Sequence, residues 1–302
     1  MGAHLNAYTA REQTVYYARC FKQDAPSCVE IISDILQNSK FEESAIERER
    51  EVILREQEEV DKQYEEVVFD HLHATAFPGQ PLGRTILGPK ENIMTINRGN
   101  LVEYINKNYR ADRMVLVSAG GVPHEDLVKL AEKHFGKIPP SATLHELGAS
   151  DKAQPKFVGS EVRIRDDTMQ HAHIALAVEG VGHRHPDYWT MLVMQAIVGN
   201  WDRALGSAPH LGSRLSSIVA KNGLANSFMS FSTSYSDTGL WGIYFVTENR
   251  IQIDDLVHFT LRVHHRMSSL LIVGMGSFVA LGDGSGSRTR KSSTPCFSPV
   301  IA

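Results

Sequence analysis

The chain has 302 residues, 42% of them hydrophobic and 22% charged, with 31 Lys and Arg set against 35 Asp and Glu. This is the composition of an ordinary globular protein, its length predicts two domains, and a formal net charge of -4 excludes a dedicated nucleic-acid binder. Three scattered cysteines (Cys20, Cys28, Cys296) exclude a disulfide framework or a CxxC metal site, and no apolar run approaches the roughly 20 residues that span a bilayer.

The opening MGAHLNAYTA carries no targeting signal and reads as the interior of a domain. Residues 4–20 hold two β-branched and aromatic runs around the polar AREQ, which predicts a strand pair. A helix follows from Asp24-Ala25-Pro26, with Asp24 as N-cap and Cys28, Ile31, Ile32, Ile35 and Leu36 as its inward face. From Glu43 to Ala76 there is no Gly or Pro, and one long helix is expected, burying Ile46, Ile53, Val60, Tyr64, Val67, Val68 and His71. The loop AFPGQPLGRTILGPKENI then precedes a helix at 98–108, a strand at 113–118 and a helix at 125–135. Residues 139–156 have the composition of a linker. A second αβ unit follows, with strands at EVRIRD, AHIALAVEG, SFMSFSTSY and GLWGIYFVTE. Its helices are expected at DYWTMLVMQAIVGN, SRLSSIVAKNG and from Asp254 to about Arg266. Beyond Arg266 the periodicity stops, and a flexible tail or a departure from the natural reading frame is expected.

Glu49 and Glu56 are two turns apart on the long helix, at the border of its apolar face. A carboxylate there needs an arginine, a hydrogen bond or a metal, although on spacing alone an Arg/Glu-rich surface with Arg48, Arg50 and Arg55 is the better account. Glu66 and Asp70 continue the acidic flank toward the expected C-terminus, where the helix dipole disfavours them unless a cation binds. The histidine groups 71/73, 183/185 and 264/265 lack the i,i+4 spacing of ligands. Neither HExxH nor HxxEH occurs, and there is no Walker loop, dinucleotide fingerprint or GxSxG elbow.

Taken together, MGAHLNAYTAREQTVYYARCF, IEREREVILREQEEVD, EVVFDHLHATAF, PLGRTILGP, RIRDD, AVEGVG and IVGNWDR resemble the pitrilysin/insulinase family of zinc metallopeptidases over residues 1–266. Within it they resemble the β subunits of mitochondrial processing peptidases, with core subunits of respiratory complex III as relatives. The resemblance implies an α+β fold: a mixed sheet with helices packed on one face, repeated in two similar domains. It implies zinc as cofactor, an α subunit as heterodimer partner, presequence peptides as substrate and the mitochondrial matrix as location. It places Glu56 as a zinc ligand, Glu49 as support for the metal site, and Asn6, Ala7 and Tyr8 on an edge strand that receives substrate. Glu66 and Asp70 become the carboxylates that read a presequence arginine.

The family's HxxEH helix, which holds two zinc histidines and the general base, is not in this sequence. Counting the family's spacing back from Glu56 places it before Met1, which then reads as an internal methionine. The expected organisation is a truncated N-terminal domain at 1–138, a linker at 139–156, a partial C-terminal domain at 157–266 and an aberrant tail at 267–302. Both domains are expected to be incomplete, and the chain to be catalytically inactive as written. A non-catalytic complex III core subunit and a non-functional fragment are the alternatives.

Overall fold

The structure is a computed structural model that describes residues 2–142, 154–205, 212–268 and 276–281. In chain order the elements are β1 (His4–Thr9), β2 (Thr14–Arg19), α1 (Ala25–Gln37), α2 (Glu43–Val60), α3 (Tyr64–Ala76), α4 (Lys90–Thr95), α5 (Arg98–Asn108) and α6 (His124–Phe135). They continue as β3 (Glu161–Ile164), β4 (Ala172–Gly180), α7 (Tyr188–Val198), β5 (Asn200–Asp202), α8 (Arg214–Asn222), β6 (Ser227–Ser234), β7 (Gly239–Thr247), α9 (Ile253–Ser268) and β8 (Gly276–Leu281). Two compact units divide the chain: Met1–Glu58 with Ile86–Asp151, and Glu59–Thr85 with Lys152–Ala302. Most of the expected linker and tail lies outside the described residues. Among the described residues no helix is long and apolar enough to cross a membrane.

In the first unit β1 and β2 pair antiparallel, with Asn6 opposite Tyr17, Ala7 opposite Tyr16 and Tyr8 opposite Val15. The Tyr16 and Tyr109 hydroxyls hydrogen-bond at 2.8 Å, which ties β2 to the end of α5. Helix α1 is joined to α6 where Ser33 Oγ and Gln37 Nε2 both donate to the His134 carbonyl, each at 2.8 Å. That carbonyl belongs to the last turn of α6 and has no partner within its own helix. Helix α1 is rotated from its expected setting: Cys28, Val29 and Ser33 are buried, while Ile31 and Ile35 are exposed. Asp24 makes no side-chain cap, because a single 3-10 turn at Lys22–Asp24 already holds it in helical geometry. Helix α5 begins on a reciprocal cap in which the Asn97 and Asn100 side chains each accept the other's backbone N–H.

Two expectations in this unit do not hold. The helix expected over 43–76 is broken at residues 61–63, where the Lys62 and Gln63 amides reach back only three residues, to Glu59 and Val60. Gln63 leaves the helical region at φ −94 and ψ 89, and its carbonyl starts α3. Among the described residues no strand pairs with 113–118, and Val115 and Val117 are exposed. An alternating run without a neighbour has nothing to complete its ladder.

The second unit is built on a six-stranded sheet of order β3-β8-β4-β7-β6-β5, antiparallel except for β3 with β8. Side chains alternate between its faces. Ile174, Phe228, Trp241, Ile243 and Phe245 point to one face, against Met191, Met194 and Val198 of α7, Leu215 and Val219 of α8, and Leu256 and Val257 of α9. Ala175, Ala177, Phe231 and Tyr244 point to the other, where α3 covers them with Val68, Leu72 and Ala76. The helices α7–α9 thus share one face, as the pattern predicts, and α3 adds a partial layer on the opposite one. The expectation of a structureless tail from residue 267 fails for 276–281, which form β8 between β3 and β4. A strand needs only a short extended run once two edges are free to bond it, so the missing periodicity was a poor guide.

Candidate functional site

The candidate residues fall on three elements. On β1, Asn6, Ala7 and Tyr8 are all exposed, and β2 is the only strand paired with β1 among the described residues. The hairpin turn is closed by the Ala10 amide donating to the Gln13 carbonyl at 2.7 Å. In an antiparallel ladder, hydrogen-bonded and non-bonded pairs alternate from such a closure. The Tyr8–Val15 and Asn6–Tyr17 pairs are therefore bonded, and Ala7, opposite Tyr16, turns its N–H and C=O outward. The outward Ala7 amide is taken by Asn6 Oδ1 at 2.8 Å. An exposed, one-sided strand of this kind can accept a further strand by backbone pairing.

Helix α2 carries Glu49 and Glu56. Its half-buried side chains are Ile46, Arg50, Ile53, Leu54, Gln57 and Val60, and both glutamates are exposed along one flank of that face. Neither carboxylate is hydrogen-bonded or ion-paired to another described residue. The helix is held in rotation by two neighbours of these glutamates. The Arg50 guanidinium donates to the Ile93 carbonyl and, at 2.8 Å, to that of Ile96, satisfying the C-terminal end of α4. Arg50 also pairs with Glu47 at 3.0 Å, and this hydrogen-bonded partner holds the Glu47 carboxyl below the usual carboxylate range. Gln57 Nε2 donates to the Gly88 carbonyl at 3.1 Å. Periodicity marks Arg50 only as one charge among many, and nothing in the sequence shows that its partners are backbone carbonyls beyond α3.

Glu66 and Asp70 lie one turn apart on α3, Glu66 exposed and Asp70 half-buried. The break at 61–63 reverses the electrostatic argument about them. Glu66 is in the first turn of its helix, where the dipole favours a carboxylate. Its position therefore needs no bound cation to explain it. The helix is fixed by His73, buried, whose Nδ1 meets the Phe69 carbonyl at 2.7 Å and whose Nε2 meets the Tyr235 hydroxyl at 2.6 Å.

Among the described residues no three His, Cys, Asp or Glu side chains come close enough together to hold a metal ion. Glu56 is a single carboxylate, and zinc sites take three or four donors. The described donors do not make a zinc site on their own.

Comparison with known proteins places these elements in context. The model described as "Peptidase M16 inactive domain" matches residues 95–269, and that described as "Insulinase (Peptidase family M16)" matches residues 1–90. The mitochondrial-processing peptidase subunit beta of Lentinula edodes is 68% identical over 269 residues, covering 89% of this chain and 58% of its own length. The subunit of the same name from Saccharomyces cerevisiae is 53% identical, over 89% of this chain and 59% of its own, and the human one is 52% identical, over 85% and 52%. The chain thus spans a little over half the length of the curated relatives it matches. Among solved structures, a chain of complex III2 from Candida albicans (Inz-5 bound) superposes with a TM-score of 0.77 at 27% identity, covering 88% of this chain and 63% of that one.

Proposed function

The chain belongs to the insulinase (M16) family of peptidases, and from that membership we propose that it is a β-type subunit of a mitochondrial processing peptidase. In this reading the whole protein removes N-terminal presequences from imported precursors in the matrix, as a heterodimer with an α subunit. Peptidases of the family use zinc. The observation that carries the reading is β1, a wholly exposed strand paired only with β2 among the described residues, on which the Ala7 N–H and C=O face away from β2. Backbone pairing there gives a presequence affinity without regard to its sequence, and a bidentate contact from Glu66 or Asp70 to an arginine adds selectivity. Glu56 is one zinc ligand in this assignment and Glu49 its support. Residues 1–138 and 157–266 are parts of two similar domains.

Cleavage needs more than this chain holds. The HxxEH motif that supplies two imidazoles and the general base does not occur in these 302 residues, and one carboxylate neither retains zinc nor activates its water. These residues bind presequence without cutting it. Fluorescence anisotropy with a labelled, arginine-containing presequence peptide tests this, with product analysis by mass spectrometry. The expected result is saturable binding, unchanged by a chelator, and no product. Chelator-sensitive turnover by this chain overturns the assignment of inactivity, and absence of binding overturns the β1 reading.

A second reading, a non-catalytic core subunit of complex III, is favoured by the likeness to the Candida albicans chain. Co-purification from mitochondria separates the two. A processing-peptidase subunit travels with its α partner, and a core subunit with the cytochromes.

A further inference from the structure

The free edge of β1 has a form that fits itself. The hydrogen-bonded pairs of the hairpin fall at Tyr8–Val15 and Asn6–Tyr17, so Leu5, Ala7 and Thr9 all turn their N–H and C=O groups away from β2. All 6 residues of His4–Thr9 are exposed, and none of them is Lys, Arg, Asp, Glu or Pro. Those are the residues with which proteins blunt an edge against other strands. A two-stranded ribbon is also marginal by itself, and a sheet gains independent stability only with further strands.

An antiparallel copy of the same strand meets these groups in register. With a two-fold axis at Ala7, Ala7 lies opposite Ala7 of the copy and Leu5 opposite Thr9 of the copy, so each outward N–H faces an outward C=O. Side chains alternate across such a junction. Leu5, Ala7 and Thr9 of both copies share the face of Tyr16, and on the other face Asn6 of each copy stands opposite Tyr8 of the other. Tyr8 keeps its edge-on contact with Tyr17, at 6.3 Å between ring centroids. No like charges are brought opposite each other along the strand. A second copy also arrives with its strand already extended and ordered against β2, and so without the ordering cost that a flexible peptide bears.

We propose that the chain pairs with a second copy of itself through β1, antiparallel about Ala7, joining the two ribbons into one sheet of order β2-β1-β1-β2. The Ala7 amide, held within one chain by Asn6 Oδ1 at 2.8 Å, passes to the Ala7 carbonyl of the copy. The pairing closes the edge that the presequence reading uses, but it follows from the geometry of the strand and does not rest on that reading.

The test is sedimentation velocity of the full chain in reducing buffer across its soluble concentration range, up to about 300 µM, joined to amide hydrogen exchange. Reversible dimerisation is expected with Kd on the order of 100 µM, because backbone pairing brings few side chains into burial with it. At that Kd the Leu5, Ala7 and Thr9 amides should exchange roughly two- to threefold more slowly at the top of the range than at about 10 µM. Asn6 and Tyr8, already bonded to β2, should change less. Ala7→Lys and Ala7→Glu, at an exposed position, each set like charges across the axis and are expected to weaken the dimer by roughly fivefold. An equimolar mixture of the two variants is expected to associate at least as tightly as the parent. A chain that stays monomeric throughout the range, or a dimer whose slowed amides lie away from β1, overturns the proposal. So does a mixture that associates no better than either variant alone, in variants whose circular dichroism matches the parent. No peptide is present in these measurements, so a failure of presequence binding and a failure of this pairing are separate results.

Discussion

The Ala7 amide is held by the side chain of the residue before it: Asn6 Oδ1 accepts it at 2.8 Å, on the edge of β1 that turns away from β2. The donor an incoming strand would use is thus already occupied, by a short polar side chain that can let go. Asn6→Ala is expected to expose it. A hydrogen bond of this kind contributes about 1 kcal/mol net, so amide exchange at Ala7 should speed up about fivefold, read by hydrogen-exchange NMR. If Ala7 exchanges at the parent rate, the carboxamide is not what guards this edge.

Arg50 sets the rotation of α2 and so the flank on which Glu49 and Glu56 appear. Arg50→Met keeps the stem and leaves the Ile93 and Ile96 carbonyls without this donor. The unfolding midpoint is expected to fall by roughly 5 °C in a calorimetric scan of the first unit's transition. Glu47→Gln, at a solvent-exposed partner, should move it by about 1 °C or less. Equal effects of the two variants would place the energy in the ion pair and not in the carbonyls.

Gly242, opposite Phe231 on β6, has no room for a side chain. A Cβ there would collide with the Leu176 carbonyl oxygen and lie 2.7 Å from Phe231 Cζ. The Leu176 oxygen is backbone, so it cannot yield cheaply whatever the Phe231 ring does. Gly242→Ala is expected to cost about 2–3 kcal/mol in urea denaturation of the second unit. A cost near zero would mean that β7 shifts to make room.

His173 links stability to pH. Burial, with help from His171, lowers its pKa from 6.5, so the unfolded chain takes up a proton at a pH where the folded one does not. Unfolding then binds protons. The imidazole's contribution is fully present above about pH 6.5 and is lost as pH falls through the lower folded-state pKa. In His173→Gln the second unit should lose less stability between neutral and mildly acidic pH than the parent does, by chemical denaturation at stepped pH. An unchanged slope would assign the acid sensitivity to another group.

Local chemistry made much of the fold legible. The helix expected at 98–108 matches α5 to the residue, and the strands expected at AHIALAVEG and GLWGIYFVTE match β4 and β7. What escaped is set by long-range partners. Asp61, Lys62 and Gln63 carry no helix breaker, yet the helix breaks there, just past the boundary at Glu58 between the two compact units. Residues 113–118 have the right alternation but, among the described residues, no ladder to join. The positions of Glu49, Glu56, Glu66 and Asp70 on exposed or half-exposed helix faces follow from the same patterns. The dipole argument about Glu66 inverted once the helix start moved. Arg50's two carbonyls depend on what folds back against α2, which spacing along one helix does not record.

The place of β8 has a consequence for synthesis. The segment Gly276–Leu281 lies between β3 and β4, strands that leave the ribosome well before it. Until it arrives, β3 has no neighbour and one edge of β4 is bare, although β4, β6 and β7 can already pair. The nascent sheet therefore waits with an open slot, and any other extended polypeptide nearby competes to fill it.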